Sequence, residues 1–290
     1  MGGIQGIIRG DMCTYLLTST MPHLDVPGAT IYYEVRGDGP PLLFIPGAQG
    51  TGAIFHETAE LLTSHFSVVC WDRRGFSKSV INGYFDINNK LEADADDAQR
   101  LISYISKGPA YVYGSSNGAI VALELLKRHP QHVRKAIIHE PPAFDVLPPD
   151  QRKQAIEATQ MVYDKYRSDG PIAGMEAFAS MAFRGDDIEY GLLFLDPGRG
   201  GDVRANHFYW YEFELRQYTS APVDIQSLHQ VKEKVIPSAG RNTLEHVAAM
   251  PPSLISQELG VSFVTIEGGH MPYYTDPEKF ARDLKRVFSP

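Results

Sequence analysis

A chain of 290 residues with 27 Lys and Arg against 35 Asp and Glu carries a net charge of −8. That excludes a basic face able to attract nucleic acid or an anionic membrane. Hydrophobic residues make up 43% and charged residues 21%, as in an ordinary globular chain of one large or two small domains.

No apolar run approaches the ~20 residues that span a bilayer. Residues 1–23 are Gly-rich and lack the charged region, long apolar core and small-residue cleavage site of a signal peptide. They are predicted to be a flexible extension. The two cysteines, Cys13 and Cys70, do not make a disulfide framework, which fits a reducing compartment such as the cytoplasm.

From Thr30 the chain alternates short apolar strands with helical stretches. Strands are expected at Thr30–Val35, Pro41–Ile45 and Phe66–Trp71, with a helix around Ile54–His65. Leu91–Lys107 has helical spacing with acidic residues in its first turns, as the helix dipole favours. Tyr111–Tyr113 is a strand, a helix starts at Asn117, and Val133–His139 is the next strand. Apolar strands between helices imply a mostly parallel sheet covered on both faces. The alternation stops at Glu140-Pro141-Pro142. Residues 146–230 hold helical stretches (Gln151–Ser168, Ile172–Phe183), a Gly- and Asp-rich loop from Asp196, and an aromatic cluster from His207 to Phe213. Strands return at Lys234–Gly240 and Val261–Glu267, and Asp276–Phe288 is an amphipathic helix. The expected organisation is a core of residues 24–145 and 231–290, with residues 146–230 as a helical lid.

Gly114-Ser115-Ser116-Asn117-Gly118 joins the strand at Tyr111 to the helix at Asn117. A glycine on each side permits a turn too sharp for flanking side chains. Ser116 would then stand at a helix N-terminus, where developing negative charge is favoured. A serine needs a base in reach and an orienter behind that base. His270, in Gly268-Gly269-His270-Met271-Pro272, follows the last expected strand, at the sheet edge where open α/β sheets place ligands. Backbone amides of Asn117 and of Ala48, in Pro46–Gly50, are the expected oxyanion donors. Gly47 lets the backbone approach a ligand there. The acid is open at this level. Glu140 ends the strand next to the serine strand, 24 residues after Ser116, and Glu245 follows the turn Gly240-Arg241-Asn242-Thr243. His139 should point away from the site on the alternating strand and serve packing.

Together with Asp72-Arg73-Arg74-Gly75-Phe76-Ser77 and the final Gly-His-x-Pro, these motifs resemble the α/β-hydrolase superfamily over residues ~28–290. The Asp72–Ser77 stretch is structural in that family. The usual acid turn lacks a carboxylate here. The Ser, His-Glu-x-Pro and late Gly-x-His arrangement is similar to that of zearalenone lactone hydrolases and of His-Glu-Pro-Pro hydrolases. The resemblance implies an α/β fold with a lid after the sixth strand and a triad of Ser116, His270 and Glu140. It implies neither metal nor cofactor, and an apolar ester or lactone as substrate. It also puts a lid tryptophan, Trp210, against the substrate. Met181, Phe183 and Tyr274 are weaker candidates for the lining, with core packing the favoured reading of each. A C–C hydrolase or lyase, and a non-catalytic receptor on the same scaffold, remain open alternatives.

Overall fold

The structure, a computed structural model, describes residues 22–194, 196–199 and 201–289. The extension expected over 1–23, and Cys13 with it, falls almost wholly outside the described residues. His23, however, already belongs to a strand. That strand, β1 (His23–Val26), turns at Gly28 into β2 (Ala29–Arg36), pairing His23 with Tyr32 and Val26 with Ala29. With only Leu24 and Val26 partly buried and His23 and Asp25 exposed, this four-residue edge strand leaves little apolar signal in the sequence.

The chain continues through β3 (Pro41–Ile45), α1 (His56–Leu62), β4 (Ser67–Trp71), β5 (Val80–Ile81), α2 (Lys90–Ile105) and β6 (Ala110–Ser115). Next come α3 (Asn117–Arg128) and β7 (Val133–His139). Between β7 and β8 (Val235–Gly240) lie α4 (Pro149–Asp169), α5 (Pro171–Ala182), α6 (Asp186–Phe194), α7 (Gly201–Phe213), α8 (Leu215–Thr219) and α9 (Ile225–His229). The chain closes with α10 (Met250–Leu259), β9 (Val264–Ile266), α11 (Pro272–Thr275) and α12 (Pro277–Phe288). The helical insertion thus follows the sixth long strand. It is the seventh in chain order, because two-residue β5 intervenes.

The described strands form one nine-stranded sheet ordered β1-β2-β4-β3-β6-β7-β8-β9, with β5 against β2. β1, β2 and β4 pair antiparallel, and from β4 to β9 the pairing is parallel. Both faces of the parallel part are buried. Leu42 and Phe44 of β3 pack with Phe55, Tyr113 and Phe280 on one side. Leu43 and Ile45 pack with Leu101, Val121 and Leu125 on the other. This is why these strands read as continuous apolar runs rather than alternating ones. Cys70 is buried on the first face, and burial pushes its thiol up to about 12, so it packs as an inert hydrophobe.

Parallel strands all end at one edge. That edge carries the Pro46–Gly50 loop after β3, Ser116 after β6, Glu140 after β7, the Gly240 turn after β8 and the His270 turn after β9. The helices α6 to α11 are not expected from the sequence, and two of them show why. The apolar residues of α6 (Ile188, Tyr190, Leu192, Leu193) are all at least partly exposed and form no single buried stripe. The start of α10, Met250-Pro251-Pro252, reads as a loop, yet Pro is tolerated in a first helical turn.

Candidate active site

Ser116 sits between β6 and α3 with φ 55° and ψ −124°. A non-glycine residue at positive φ is strained and persists only where its surroundings enforce it. They do so here. Its N–H donates to the His139 carbonyl (3.0 Å), and its own carbonyl accepts from Ala119 N–H (2.8 Å), opening α3. A Cβ at Gly118 would lie 2.1 Å from the Ile45 carbonyl oxygen, and one at Gly114 would lie 2.5 Å from the Gly118 carbonyl oxygen. Neither position admits a larger residue, so the pattern read from the sequence is enforced by packing.

Glu140 is a second non-glycine residue at positive φ (45°). Its N–H donates to the Ser238 carbonyl (3.0 Å), turning the chain out of β7. The side chain is fully buried and its two carboxylate oxygens divide the work. Oε1 accepts from Gly240 N–H (2.8 Å) and from the Thr243 hydroxyl. Oε2 accepts from His270 Nδ1–H at 2.6 Å. Burial opposes the charge of Glu140. The His270 hydrogen bond, the nearby imidazoles and the Thr243 hydroxyl outweigh it, holding the group down at about 2. Burial likewise opposes an imidazolium at His270, but the hydrogen bond and charge of Glu140, with Asp187 adding to them, raise its pKa above the usual value. The turn that usually bears the acid therefore contributes donors to Glu140 instead. Glu245 is exposed and lies between two 3-10 turns, and the cap of the second turn is the His246 side chain.

His139 is more than packing. Its Nε2 lies 3.3 Å from the Gly269 carbonyl, which can only accept, so Nε2 carries the proton and Nδ1 accepts from the Ser238 hydroxyl (3.2 Å). Burial lowers its pKa to about 4, keeping this tautomer neutral. His139 thus steadies the residue before His270. The alternation argument missed this because the partner lies 130 positions away.

The Pro46–Gly50 loop is pressed against Ser116. A Cβ on Gly47 would be 3.1 Å from Ser116 Cβ and 3.8 Å from Asn117 N. Behind the loop stands Arg73, fully buried, donating to the Pro46 carbonyl through Nε (3.0 Å) and the Gly47 carbonyl through Nη2 (2.8 Å). Its guanidinium also pairs with Asp94 (2.6 Å) and with Glu214 at both oxygens (2.7 and 2.8 Å). Lys90 completes a neutral set of two cations and two anions, all of them buried. Glu214 precedes α8 in the insertion, and its Oε2 also meets Asn117 Nδ2 at 3.5 Å. The structural role expected for the Asp72–Ser77 stretch thus includes holding the loop beside the serine.

Two cavities meet at Ser116, His270 and Phe178. The smaller, about 40 Å³, is lined by Gly47, Ala48, Phe183 and Tyr274. The larger, about 540 Å³, opens between the sheet edge and the insertion and is lined mainly by apolar side chains. Asn117, Glu140, Met181 and Trp210 border it. Every residue expected at the site therefore borders one of these cavities. Trp210 is 1% exposed, packs edge-on against Phe178 (4.8 Å), and its indole N–H has no hydrogen-bond partner in the protein. Elsewhere in the His207–Phe213 cluster, Tyr211 stacks on Tyr166 at 4.2 Å and His207 bonds the Val203 carbonyl within the insertion, while Tyr209 packs edge-on against Phe76 of the core (4.8 Å) and His207 Nδ1 lies 3.1 Å from Gln49 Nε2. Among the described residues no cluster of three or more His, Cys, Asp or Glu could hold a metal ion, and no helix is long and apolar enough to cross a membrane.

A mostly parallel sheet with a sharp serine turn, a histidine turn and a helical insertion is the arrangement of the α/β hydrolases, and the chain belongs to that family. The sequence profile of the alpha/beta hydrolase fold matches residues 40–222. Over 90% of its length the chain is 32% identical to the uncharacterized hydrolase YraK of Bacillus subtilis (strain 168), covering 93% of that protein. It is 26% identical to a zearalenone hydrolase of Cladophialophora bantiana, covering 88% of this chain and 91% of that one. A crystal structure described as an enol-lactonase from Burkholderia xenovorans LB400 superposes with a TM-score of 0.66 at 16% identity, covering 93% of this chain and all of that one.

Proposed function

We propose that this hydrolase cleaves an ester or lactone bond of an apolar small molecule through an acyl-enzyme on Ser116. The observation that carries the reading is the buried His270–Glu140 pair at 2.6 Å, opening with the strained Ser116 on an apolar cavity of about 540 Å³. Nδ1–H on Glu140 leaves Nε2 of His270 as the free base. Ser116 Oγ attacks the carbonyl carbon while Nε2 takes its proton. The oxyanion is held by the backbone amides of Ala48 and Asn117. Collapse breaks the C–O bond, and the leaving alkoxide takes the proton from Nε2. Water then repeats the sequence on the acyl-serine, giving the acid and free Ser116. In a lactone the leaving hydroxyl stays tethered to the acyl chain, so the cavity must hold both ends at once, which its volume supports.

The helical insertion acts as the lid. Trp210 offers its unpartnered N–H to an acceptor on the substrate remote from the scissile bond. The relatives named zearalenone hydrolases support a lactone as the natural substrate class.

A screen of aryl esters, aliphatic lactones and macrolactones, with Ser116→Ala as the blank, tests the reading. Turnover of at least one class that vanishes in a folded Ser116→Ala protein supports it. Turnover surviving in that variant removes Ser116 from the reaction.

A further inference from the structure

His270 is gripped from the insertion as well as from the sheet. Asp187, in the first turn of α6, is 2% exposed, and its carboxylate reaches the histidine turn. Oδ2 accepts from His270 N–H at 2.7 Å and Oδ1 from Met271 N–H at 3.1 Å. Two consecutive backbone donors on one buried carboxylate form a two-point clamp with charge-assisted bonds. The turn is shaped to receive it. A Cβ on Gly269 would lie 2.0 Å from Asp187 Oδ2, so only glycine lets the carboxylate in. Phe183, just before α6, lays its ring 5.6 Å from the imidazole, and a Cβ on Gly191 of α6 would lie 3.2 Å from the end of Met271.

We propose that Asp187 is a positioning residue for the hydrolytic reaction: by pinning the backbone of His270 and Met271 from the insertion, it holds the imidazole on Glu140 and aimed at Ser116. The insertion is then part of the machinery as well as a cover, and the triad is complete only with α6 docked. This rests on the serine-hydrolase reading. Asp187 also places negative charge beside the imidazolium that forms when His270 takes the serine proton. The titratable groups facing His270 are Glu140 and His139 at the end of β7, Asp187 of α6 and His246 after β8. Only Glu140 and Asp187 are anions that raise its pKa.

The test is hydrolysis of p-nitrophenyl butyrate across pH by wild type, Asp187→Asn, Asp187→Glu and Asp186→Asn. Asp186 is the exposed neighbour and controls for loss of one charge from the same helix turn. In Asp187→Asn the amide NH₂ cannot accept from one of the two N–H groups. Its kcat should fall ~30-fold with KM within ~2-fold, since misplacement of the base acts on the transition state. Catalysis needs neutral His270, so removing the anion lowers the pH of the acidic limb of kcat/KM. Asp187→Glu keeps the charge and alters the reach, so its limb stays in place while kcat falls. Asp186→Asn should behave as wild type. A folded Asp187→Asn with kcat within ~2-fold of wild type, or with an unmoved limb, overturns the proposal. Should that variant not fold, Asp187→Glu decides alone, and a kcat within ~2-fold of wild type there overturns it. Absence of Ser116-dependent turnover in wild type would instead sink the serine-hydrolase reading. Ser116-dependent turnover untouched in Asp187→Asn sinks only the role of Asp187.

Discussion

Glu140→Gln tests the proposed acid with minimal change of shape. Gly240 N–H can only donate, and it points at Oε1 from 2.8 Å. The glutamine oxygen must therefore take the Oε1 place, which turns its NH₂ toward His270 Nδ1. That nitrogen becomes an acceptor, and the imidazole proton moves to Nε2, the atom that removes the Ser116 proton in the proposed reaction. The wrong tautomer of an otherwise intact triad costs ~10⁴ in kcat, about 5.5 kcal/mol of transition-state stabilisation. KM should stay within ~3-fold, because the cavity keeps its shape. The assay is steady-state hydrolysis of an aryl ester at pH 8, with active sites counted by phosphonate titration and folding checked by near-UV circular dichroism. Glu245→Gln, at an exposed position, should change kcat by less than ~2-fold. A folded Glu140→Gln that keeps more than ~10% of wild-type kcat would refute the tautomer argument and remove Glu140 from the triad.

Two further outcomes follow from the buried charges. Glu140 is held at about 2 in the folded protein against an ordinary 4.5, so its stabilisation is complete above pH 4.5 and is lost as pH falls toward 2. That contribution is on the order of 3 kcal/mol, and urea unfolding between pH 2 and 5 should show it in wild type and not in Glu140→Gln. Arg73→Met leaves Asp94 and Glu214 with Lys90 alone, and strips the donor from the Pro46 and Gly47 carbonyls. An uncompensated buried charge costs ~3–5 kcal/mol, so calorimetry should show Tm lowered by roughly 10 °C. A shift below ~2 °C would mean that water or rearrangement replaces the guanidinium.

The parts of this site that the sequence makes legible are those whose chemistry is local. Ser116 is marked by glycines two residues to either side, and both prove to be sterically required. Glu140 is marked by its place at a strand end beside the serine strand, and His270 by the small-residue turn after the last strand. What escaped depends on long-range partners. Arg73 stands in a recognised stretch, but its partner Glu214 lies 141 positions on, in the insertion. His139 holds Gly269 across 130 positions. Asp187 lies on a helix whose apolar residues show no buried stripe, so neither the helix nor its reach to His270 has a periodic signature. In the aromatic cluster, composition alone does not separate pocket from packing: of residues 207–213 only Trp210 borders the large cavity, and Tyr211 stacks on Tyr166 inside the insertion.

The central claim is that Ser116 is an activated nucleophile. Its most direct test is exposure of the native protein to a fluorophosphonate, with the adduct mapped by peptide mass spectrometry. The account predicts one phosphonyl group per chain, carried by Ser116 and missing from Ser116→Ala, with labelling slowed strongly in Glu140→Gln. A folded wild-type protein that takes up no label, or takes it up at another residue, would contradict it.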